Sequence, residues 1–547
     1  MSRRMSREQT AAVGDLTLTL SRRESRQGRA ALARQIRASR AKRRGVFWRF
    51  LSDAGEARAD AAGRAGWRGW AGRGGGKVNY IDPAPEFRGT SVQVCGMWPF
   101  SVGAGSPLQG VPLGRSLLNG APVCADPLSW FRANLILQPS AFVLGRPGLG
   151  KSSLVRRMIT LLEAWGDVPM VLGDLKPDYV DLIRAMDGQV VAVGAGIGSI
   201  NLLDLGPAMG DLATIPDLAA RRRAVEEMRA RRRTTVIAVL DMVRGSRLRE
   251  YEQTLIAEAL RILDDDHDGV PLVEHLTALV RARHPRLLAV ASTRGDVEHY
   301  DERTQELLDG LLALGPSGPF GEVFCRPTTE HIELGRPMAF DLSGIDDGDV
   351  QLQAAVQAVC WAYGSALVSA DTHLAEAGLR EPTHYLLVFD ELWRIVRVSA
   401  LMVYFIDALT RLNRQRGIGQ IMITHTMNDL RLESEHLTSI AWGFVERSAM
   451  VFLGGLADAE MGNLREVFAV SNAEQQRITD WAVEGQVNPE TGRATSPPGQ
   501  GNFLLKLGKS SGTPLHVQLT EAELPVNNTN KAWASAADRA TGAQVAA

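Results

Sequence analysis

The sequence contains no uninterrupted run of about 18 apolar residues, which is the length that a helix needs to cross a bilayer. Its most apolar segment, residues 354–368, is interrupted by Gln357 and Gly364 and is therefore predicted to be a buried helix. The basic N-terminus is not followed by an apolar stretch, so the pattern of a cleaved signal peptide is missing. We expect any association with a membrane to depend on a partner.

Cysteine is also scarce. Four cysteines are spread over 547 residues, and none has the spacing of a metal site or of a disulfide framework. This argues against a zinc-ribbon or disulfide-stapled fold and favours a reducing, cytoplasmic setting. With 45% hydrophobic and 22% charged residues, the composition is that of a globular protein whose length allows two or three domains.

A net charge of -1 conceals a strong polarity along the chain. Residues 1–80 contain 19 Lys and Arg against 6 Asp and Glu, whereas the remaining residues contain 42 against 56. A basic arm on an acidic body suggests an anionic partner such as DNA or an anionic lipid surface. A solvated tail that keeps the protein soluble is an equally good interpretation.

The pattern divides the chain into five predicted regions. Residues 1–77 are basic and rich in Gly and Arg and are expected to be flexible, and residues 78–140 are expected to form a small strand-rich lead-in. Residues 141–209 and 316–525 alternate apolar runs with helical patterns, which predicts an α/β domain with a mostly parallel sheet. Residues 210–315 have helical spacing throughout and predict an all-helical insertion, and residues 526–547 predict a disordered tail. Strands are predicted at 141–144, 168–173, 189–193, 337–342, 385–389, 420–424, 450–453, 501–507 and 515–519. The unbroken apolar run at 385–389 predicts a central parallel strand that is buried on both faces.

The most informative motif is GRPGLGKSS at residues 145–153, which matches the phosphate-binding loop. Glycines let backbone N–H groups approach the phosphates, Lys151 supplies a positive charge, and the Ser152 hydroxyl is a Mg²⁺ ligand. An apolar strand precedes the loop and an amphipathic helix from about residue 151 to 164 follows it, which is the context that the motif requires. The residues expected to bind the nucleotide are Gly145, Arg146, Pro147, Gly148, Leu149, Gly150, Lys151, Ser152 and Ser153.

Asp390 and Glu391 follow directly after the buried strand predicted at 385–389. An Asp at this position holds Mg²⁺, and the adjacent Glu can polarise the attacking water. An acidic helix cap is the alternative, but the phosphate loop favours the catalytic interpretation. Together the two motifs predict nucleotide hydrolysis.

Five further residues are weaker candidates. Arg414 and Arg416, together with Arg411, precede the strand predicted at 420–424, and Arg447 precedes the strand predicted at 450–453. Any of them could be an arginine finger that acts on a neighbouring subunit, or belong to a solvated helix face. His425 follows a strand where a γ-phosphate sensor belongs.

Several segments resemble the conjugative, type IV secretion ATPases of the VirB-four and TraC kind, within the HerA–FtsK superfamily of hexameric motors. The resemblance runs from about residue 112 to 519. It rests on the segments PLGRSLLNGAPVCADP, GDLKPDYVDLIRAMDGQVVAVGAGIGSINLLDL, GEVFCRPTTEHIELGRPMAFDLSGI, DELW, RLNRQRGIGQIMITHTMNDL, FAVSNAEQQRI and GNFLLKLGKSSGTPLHVQL. In the second of these, Asp174, Lys176 and Tyr179 are similar to the family's Asp-x-Lys-x-x-Tyr pattern, and Asn201 and Asp204 to its Asn-x-x-Asp pattern.

The resemblance implies an α/β, RecA-like P-loop fold with an inserted all-helical subdomain, and an ATPase that uses ATP and Mg²⁺. It also implies a homo-oligomer, in the family a hexameric ring, at the inner face of the cell membrane, where membrane-embedded secretion or conjugation channel proteins hold it. Two features depart from the family. His425 replaces a Gln that commonly ends the sensor strand, and a short basic segment replaces the long N-terminal docking domain.

Two other functions fit these observations. The first is a DNA-pumping translocase or coupling protein of the same superfamily, which the basic arm favours. The second is an assembly scaffold that binds nucleotide with little turnover, against which Lys151 and Glu391 argue.

Overall fold

The computed structural model describes residues 107–291, 293, 296–398, 402–404, 406–407, 417–485, 497–508 and 510–527. These residues all belong to one compact unit, 104–547. The predicted basic region 1–77, the first part of the lead-in, and the three arginines at 411, 414 and 416 lie outside the described residues.

Within the described ranges, eleven strands form a single sheet of mixed direction. The strands are β1 (Pro112–Ser116), β2 (Pro122–Cys124), β3 (Ser140–Leu144), β4 (Val168–Asp174), β5 (Gln189–Ala192), β6 (Met338–Asp341), β7 (Tyr385–Phe389), β8 (Ile418–Thr424), β9 (Met450–Leu453), β10 (Asn502–Lys506) and β11 (Thr513–Val517). Their order across the sheet is β2-β1-β11-β10-β9-β3-β8-β7-β4-β6-β5. From β9 to β5 all neighbours are parallel, and the remaining strands add an antiparallel edge.

The central strands β3, β7, β8 and β9 are buried along their whole length, as the unbroken apolar run of β7 predicted for that strand. Side chains of a strand alternate between the two faces of a sheet. In β3, Phe142 and Leu144 join the core on one face, whereas Ala141 and Val143 join the core on the other. Helices therefore have to cover both faces, which is the doubly covered α/β arrangement expected from the sequence.

The helices are α1 (Pro127–Arg132), α2 (Lys151–Ala164), α3 (Val180–Ala185), α4 (Ala208–Leu212), α5 (Leu218–Arg244), α6 (Glu250–Asp266), α7 (Val273–Arg281), α8 (Pro285–Val290), α9 (Val297–Ala313), α10 (Gly321–Phe324), α11 (Val350–Glu376), α12 (Leu392–Val398), α13 (Glu435–Glu446), α14 (Met461–Val467) and α15 (Asn472–Asp480). Helices α4 to α9 follow one another between β5 and β6 without an intervening strand, so the inserted helical block is present. Within the described ranges, no helix combines the length and the apolar character that a membrane span requires.

Two long helices join the inserted block to the sheet. Helix α5 begins after Asp217, whose carboxylate caps the first turn, and ends at Gly245 in the left-handed conformation. It packs along α11, which is buried over most of its length. The Trp361 ring of α11 lies 4.7 Å from the Phe389 ring of β7, edge to face. The strand that carries Asp390 and Glu391 is thus supported by the helix on which the inserted block rests.

Strand pairing corrects the predicted bounds of two strands. Strand β11 covers 513–517 rather than 515–519, because it pairs with β10 through Thr513 opposite Leu505 and Pro514 opposite Leu504. Strand β8 likewise starts at Ile418, two residues before its predicted start, since Ile418 and Gly419 pair with β7. Pairing with a neighbouring strand, which the local sequence does not encode, sets these ends.

Candidate nucleotide-binding site

The phosphate loop connects β3 to α2 at the carboxyl edge of the parallel strands. Gly148 and Gly150 have φ values of 79° and 95°, in the left-handed region that favours glycine. Helix α2 begins at Lys151 with no side chain capping its first turn, so its backbone N–H groups remain available to an anion. The loop sequence thus builds the anion-binding cradle that the motif predicts.

Lys151 is buried, with 7% of its surface exposed. Its ammonium donates to the carbonyl oxygens of Gly145, at 2.7 Å, and Arg146, at 3.2 Å. It also lies 3.0 Å from Nδ1 of His425. Burial lowers the pKa of Lys151 to about 8, although the carboxylates of Asp390 and Glu391 oppose that shift. Lys151 therefore lies at the predicted phosphate position with its charge held by loop carbonyls.

Asp390 and Glu391 lie at the carboxyl end of β7, on the same edge of the sheet as the loop. Asp390 accepts a hydrogen bond from the Tyr179 hydroxyl at 2.8 Å and one from the Glu391 backbone N–H at 2.8 Å. Burial, together with the neighbouring Glu391 charge, raises the pKa of Asp390 to about 6. Glu391 has a φ of 50°, a conformation that is costly for a residue with a Cβ and that turns its side chain out of the strand direction.

Three donors hold the Glu391 carboxylate. Oε1 accepts from Lys176 at 2.6 Å, and Oε2 accepts from the Trp393 indole N–H at 2.6 Å. Nε2 of His425 lies 3.1 Å from the same Oε2. Burial alone would raise the pKa of Glu391, but the hydrogen bonds from His425 and Lys176 outweigh it and hold the pKa well below its usual range.

His425 therefore links the phosphate loop to the catalytic candidate. A neutral imidazole protonated at Nε2 satisfies both contacts, because Nδ1 then accepts from the Lys151 ammonium while Nε2 donates to Glu391. His425 follows β8, whose parallel partner β3 leads into the loop. The His425 carbonyl also accepts from the Gly145 N–H at 3.0 Å, which fixes the two strand ends together.

The residues present fit a nucleotide with Mg²⁺. Across the described ranges there is no cluster of three or more His, Cys, Asp or Glu side chains that could cage a metal ion. Mg²⁺ at a phosphate site needs only one or two protein oxygens, because phosphates and water supply the rest. The Ser152 hydroxyl and the Asp390 carboxylate both line the same cleft of about 400 Å³, and they provide that oxygen set.

The other residues predicted from the sequence lie at the cleft, elsewhere in the structure, or outside the described residues. Pro147, Gly148, Gly150 and Ser153 line the cleft, whereas Leu149 is buried beside it. Arg146 is directed to a different segment, where it donates to the Ala482 carbonyl at 2.9 Å. Arg447 lies just before the amino end of β9, the edge opposite the loop, and pairs with Asp407 at 2.6 Å. Arg414 and Arg416 lie outside the described residues.

Sequence reasoning missed several residues that line the cleft. Lys176, Asp178 and Asp174 follow or end β4, and they belong to a segment that the resemblance had singled out without giving it a role. Burial raises the pKa of Asp174 to about 7, and its carboxylate accepts from the backbone N–H groups of residues 178 and 179. Asn201 and Asp204, from the same quoted stretch, instead accept backbone N–H groups in their own turn. Arg156, Gln500 and Asn527 also line the cleft, and no local pattern marked them.

Comparison with known proteins defines the fold. No protein-family model matches the chain, and no curated protein matches its sequence. The structure of VirB4 of Thermoanaerobacter pseudethanolicus superposes with a TM-score of 0.55 at 17% identity, over 78% of this chain and 99% of that chain. The bacterial conjugative coupling protein TrwB, solved with sulphate, gives a TM-score of 0.43 at 11% identity, over 74% of this chain and 90% of that chain. TrwB has also been solved in complex with ADP and Mg²⁺, with a TM-score of 0.41.

The chain has an α/β, RecA-like P-loop fold with a mostly parallel sheet and an inserted helical block. VirB4 of Thermoanaerobacter pseudethanolicus shares this fold along nearly its whole length.

Proposed function

We propose that the chain is an ATP-hydrolysing motor that energises a conjugative or type IV secretion apparatus. The observation that carries the proposal is the short chain of contacts from Lys151 through His425 to Glu391, at the mouth of the phosphate loop. It brings a phosphate-binding cation and a water-activating carboxylate to one cleft, in a fold shared with VirB4. A cleft built for nucleotide binding alone would not need Glu391 oriented by three donors.

Binding of ATP is expected to change the partners of Lys151. The phosphates replace the carbonyl oxygens of Gly145 and Arg146 as acceptors for its ammonium, since phosphate oxygens carry a full charge. The free N–H groups at the start of α2 take the other phosphate oxygens. Mg²⁺, held through Ser152 and Asp390, supplies charge neutralisation on the phosphates when it is bound.

Glu391 then orients and deprotonates the attacking water. The water oxygen forms a bond to the γ-phosphorus, the bond to the bridging β–γ oxygen breaks, and the water proton passes to the Glu391 carboxylate. Its low pKa makes Glu391 a weak base while it is held by Lys176, Trp393 and His425. Withdrawal of any one of these three donors would strengthen it as a base.

The remaining parts of the proposal concern assembly. The chain forms a homo-oligomeric ring, which in related motors is hexameric, and Arg414, Arg416 or Arg447 of a neighbour completes each site. It works at the inner face of the cell membrane by binding membrane-embedded channel proteins. Arg447 supports this division of roles, because it lies at the sheet edge opposite its own loop.

The test is phosphate release by the purified full chain with Mg-ATP. We expect steady turnover in the wild type and background release in Lys151→Ala, while Arg261→Ala, which removes an exposed cation from α6, behaves as the wild type. A wild type that binds ATP without turnover would instead indicate the nucleotide-binding scaffold.

A DNA-pumping translocase is the second candidate, favoured by the excess of 19 Lys and Arg over 6 Asp and Glu in residues 1–80. The same assay with double-stranded DNA separates the two. Stimulation of many fold that disappears between about 50 and 200 mM salt would favour the DNA pump. Turnover that is indifferent to DNA favours the secretion motor.

A further inference from the structure

One wall of the nucleotide cleft is made of residues that lie outside the phosphate loop and the Asp390–Glu391 pair. Arg156, Gln500 and Asn527 line the same cleft as Lys151 and Glu391. They come from helix α2, from the turn before β10 and from the turn after β11. The phosphate loop itself accounts only for the phosphates of a nucleotide.

This wall is fixed to the phosphate loop. The Gly501 N–H donates to the Leu149 carbonyl at 3.0 Å, and the Gly501 carbonyl accepts from Val517 of β11 at 2.8 Å. Gly501 has a φ of 77°, and its backbone nitrogen lies 3.5 Å from where a Cβ on Gly150 would be. The turn that carries Gln500 is therefore held against the loop by a backbone hydrogen bond and by ordinary van der Waals contact.

The amide of Asn527 has a fixed orientation. The side-chain Nδ2 of Asn527 donates to the Glu523 backbone carbonyl at 2.9 Å. The backbone carbonyl of Asn527 accepts from the Arg156 guanidinium at 3.3 Å. Arg156 is 2% exposed and also donates to the Asp178 carbonyl at 2.8 Å. Among the described residues, no donor reaches the buried Asn527 Oδ1 and no acceptor reaches the buried Arg156 Nε.

An unpaired acceptor is the wrong partner for a phosphate. Buried polar atoms are normally hydrogen-bonded, so Asn527 Oδ1 calls for a ligand that presents an N–H or O–H group. Phosphate oxygens only accept at neutral pH, whereas a nucleoside presents ribose hydroxyls and base amino groups. The cleft thus presents the Lys151 ammonium at the phosphate loop and, at this wall, the side-chain amides of Gln500 and Asn527 beside the Arg156 guanidinium.

We infer that the Gln500–Asn527 wall binds the nucleoside half of the nucleotide, with Asn527 Oδ1 accepting a hydrogen bond from it. This inference rests on the proposed function, since it assumes that ATP occupies the phosphate loop. Arg156 is a positioning residue, because it holds the Asn527 backbone through its guanidinium. Gln500, whose side chain is exposed at the rim, adds a second amide.

The test compares calorimetric binding of Mg-ATP with binding of Mg-tripolyphosphate, which has the phosphates and lacks the nucleoside. The full-length wild type is expected to bind ATP more tightly. Asn527→Ala should weaken ATP about 3- to 10-fold, the equivalent of one net hydrogen bond, and leave tripolyphosphate unchanged. Gln500→Ala, an exposed change that does not threaten folding, should act in the same direction. Gln518→Ala removes an exposed amide from the end of the same hairpin and should change neither.

The outcomes separate the inference from the function on which it rests. If Asn527→Ala and Gln500→Ala bind both ligands as the wild type does, or lose both equally, the nucleoside wall is wrong while the phosphate site stands. If the wild type binds neither ligand, the proposed function itself fails. If Asn527→Ala weakens the binding of ATP but not that of 2′-deoxy-ATP, the inference is supported and the ribose 2′-hydroxyl is identified as the donor.

Discussion

At the scale of single residues, His425 is the departure that the structure explains best. In this chain an imidazole contacts both the Lys151 ammonium and the Glu391 carboxylate, at 3.0 and 3.1 Å. A glutamine can also accept on one atom and donate on the other, so the two residue types are able to fill the same bridging position. We therefore propose that His425 positions Glu391. Its place beside the loop follows from the pairing of β8 with β3.

Substitution of His425 tests this role. His425→Ala removes the bridge and should lower kcat about 10- to 100-fold, since a small displacement of Glu391 misplaces the attacking water. His425→Gln should retain most of the activity, and KM for ATP should change little in either variant. Steady-state phosphate release measures kcat and KM for the wild type and both variants. A His425→Ala enzyme with the wild-type kcat would remove His425 from the mechanism.

At the scale of elements, the contact between α5 of the inserted block and helix α11 includes a titrating pair. Nε2 of His373, on α11, lies 3.0 Å from Glu227 on α5, and Glu227 also accepts from Arg231 at 2.8 Å. The hydrogen bond to Glu227 raises the pKa of His373, against the opposing effect of burial. Because the pKa is raised in the folded state, the pair stabilises the fold at low pH and loses that contribution as pH rises through the folded pKa.

His373→Gln should therefore lower the free energy of unfolding at about pH 5.5 and have little effect at about pH 8.5. The loss should be under about 1 kcal/mol, because the histidine is partly exposed. Chemical denaturation at the two pH values measures it, with His436→Gln, an exposed histidine on α13, as the control. A loss of equal size at both pH values would show that the imidazole acts by packing alone.

The elements also show what a sequence can predict. Strands β3, β7 and β9 were predicted to within one residue, because each is an unbroken apolar run that must be buried on both faces. The loop was predicted from its motif with a preceding apolar strand as context, and the Asp390–Glu391 pair from its place at the end of β7. For these strands the local sequence pattern predicts the observed structure, because burial alone determines where each strand lies.

Contacts between distant segments were not predictable in this way. Arg156 meets Asn527 across 371 positions, and Lys176 meets Glu391 across 215. Nothing in the spacing of those residues distinguishes them from surface polar groups, because their partners are brought to them by the sheet order. The Trp393 indole bond to Glu391 is local, but it depends on the unusual φ of 50° at Glu391.

At the scale of the whole molecule, the proposal requires that subunits share each catalytic site. Arg447 is paired with Asp407 at the edge of the sheet opposite its own loop, so as a finger it would have to serve the loop of a neighbour. Arg414 and Arg416 are the other candidates. If a neighbouring subunit supplies the arginine finger, mixing two inactive variants should restore part of the activity.

Glu391→Gln should be inactive alone, and so should the alanine variant of whichever arginine is the finger. Mixing the two should restore about a quarter or less of the wild-type rate, because some mixed interfaces combine an intact Glu391 with an intact arginine. Phosphate release with mixtures of Glu391→Gln and each of Arg414→Ala, Arg416→Ala and Arg447→Ala identifies the finger. If no mixture recovers activity and light scattering finds monomers with ATP present, the shared site is wrong.

The central claim is that Glu391, at the end of β7, activates the water that hydrolyses ATP bound at Lys151. The most direct measurement is ATP binding and phosphate release by Glu391→Gln beside the wild type and Glu381→Gln, an exposed change at a distance. Glu391→Gln should bind Mg-ATP with near wild-type affinity and release phosphate about 10²- to 10⁴-fold more slowly, while Glu381→Gln is normal. Turnover by Glu391→Gln at close to the wild-type rate would contradict the account.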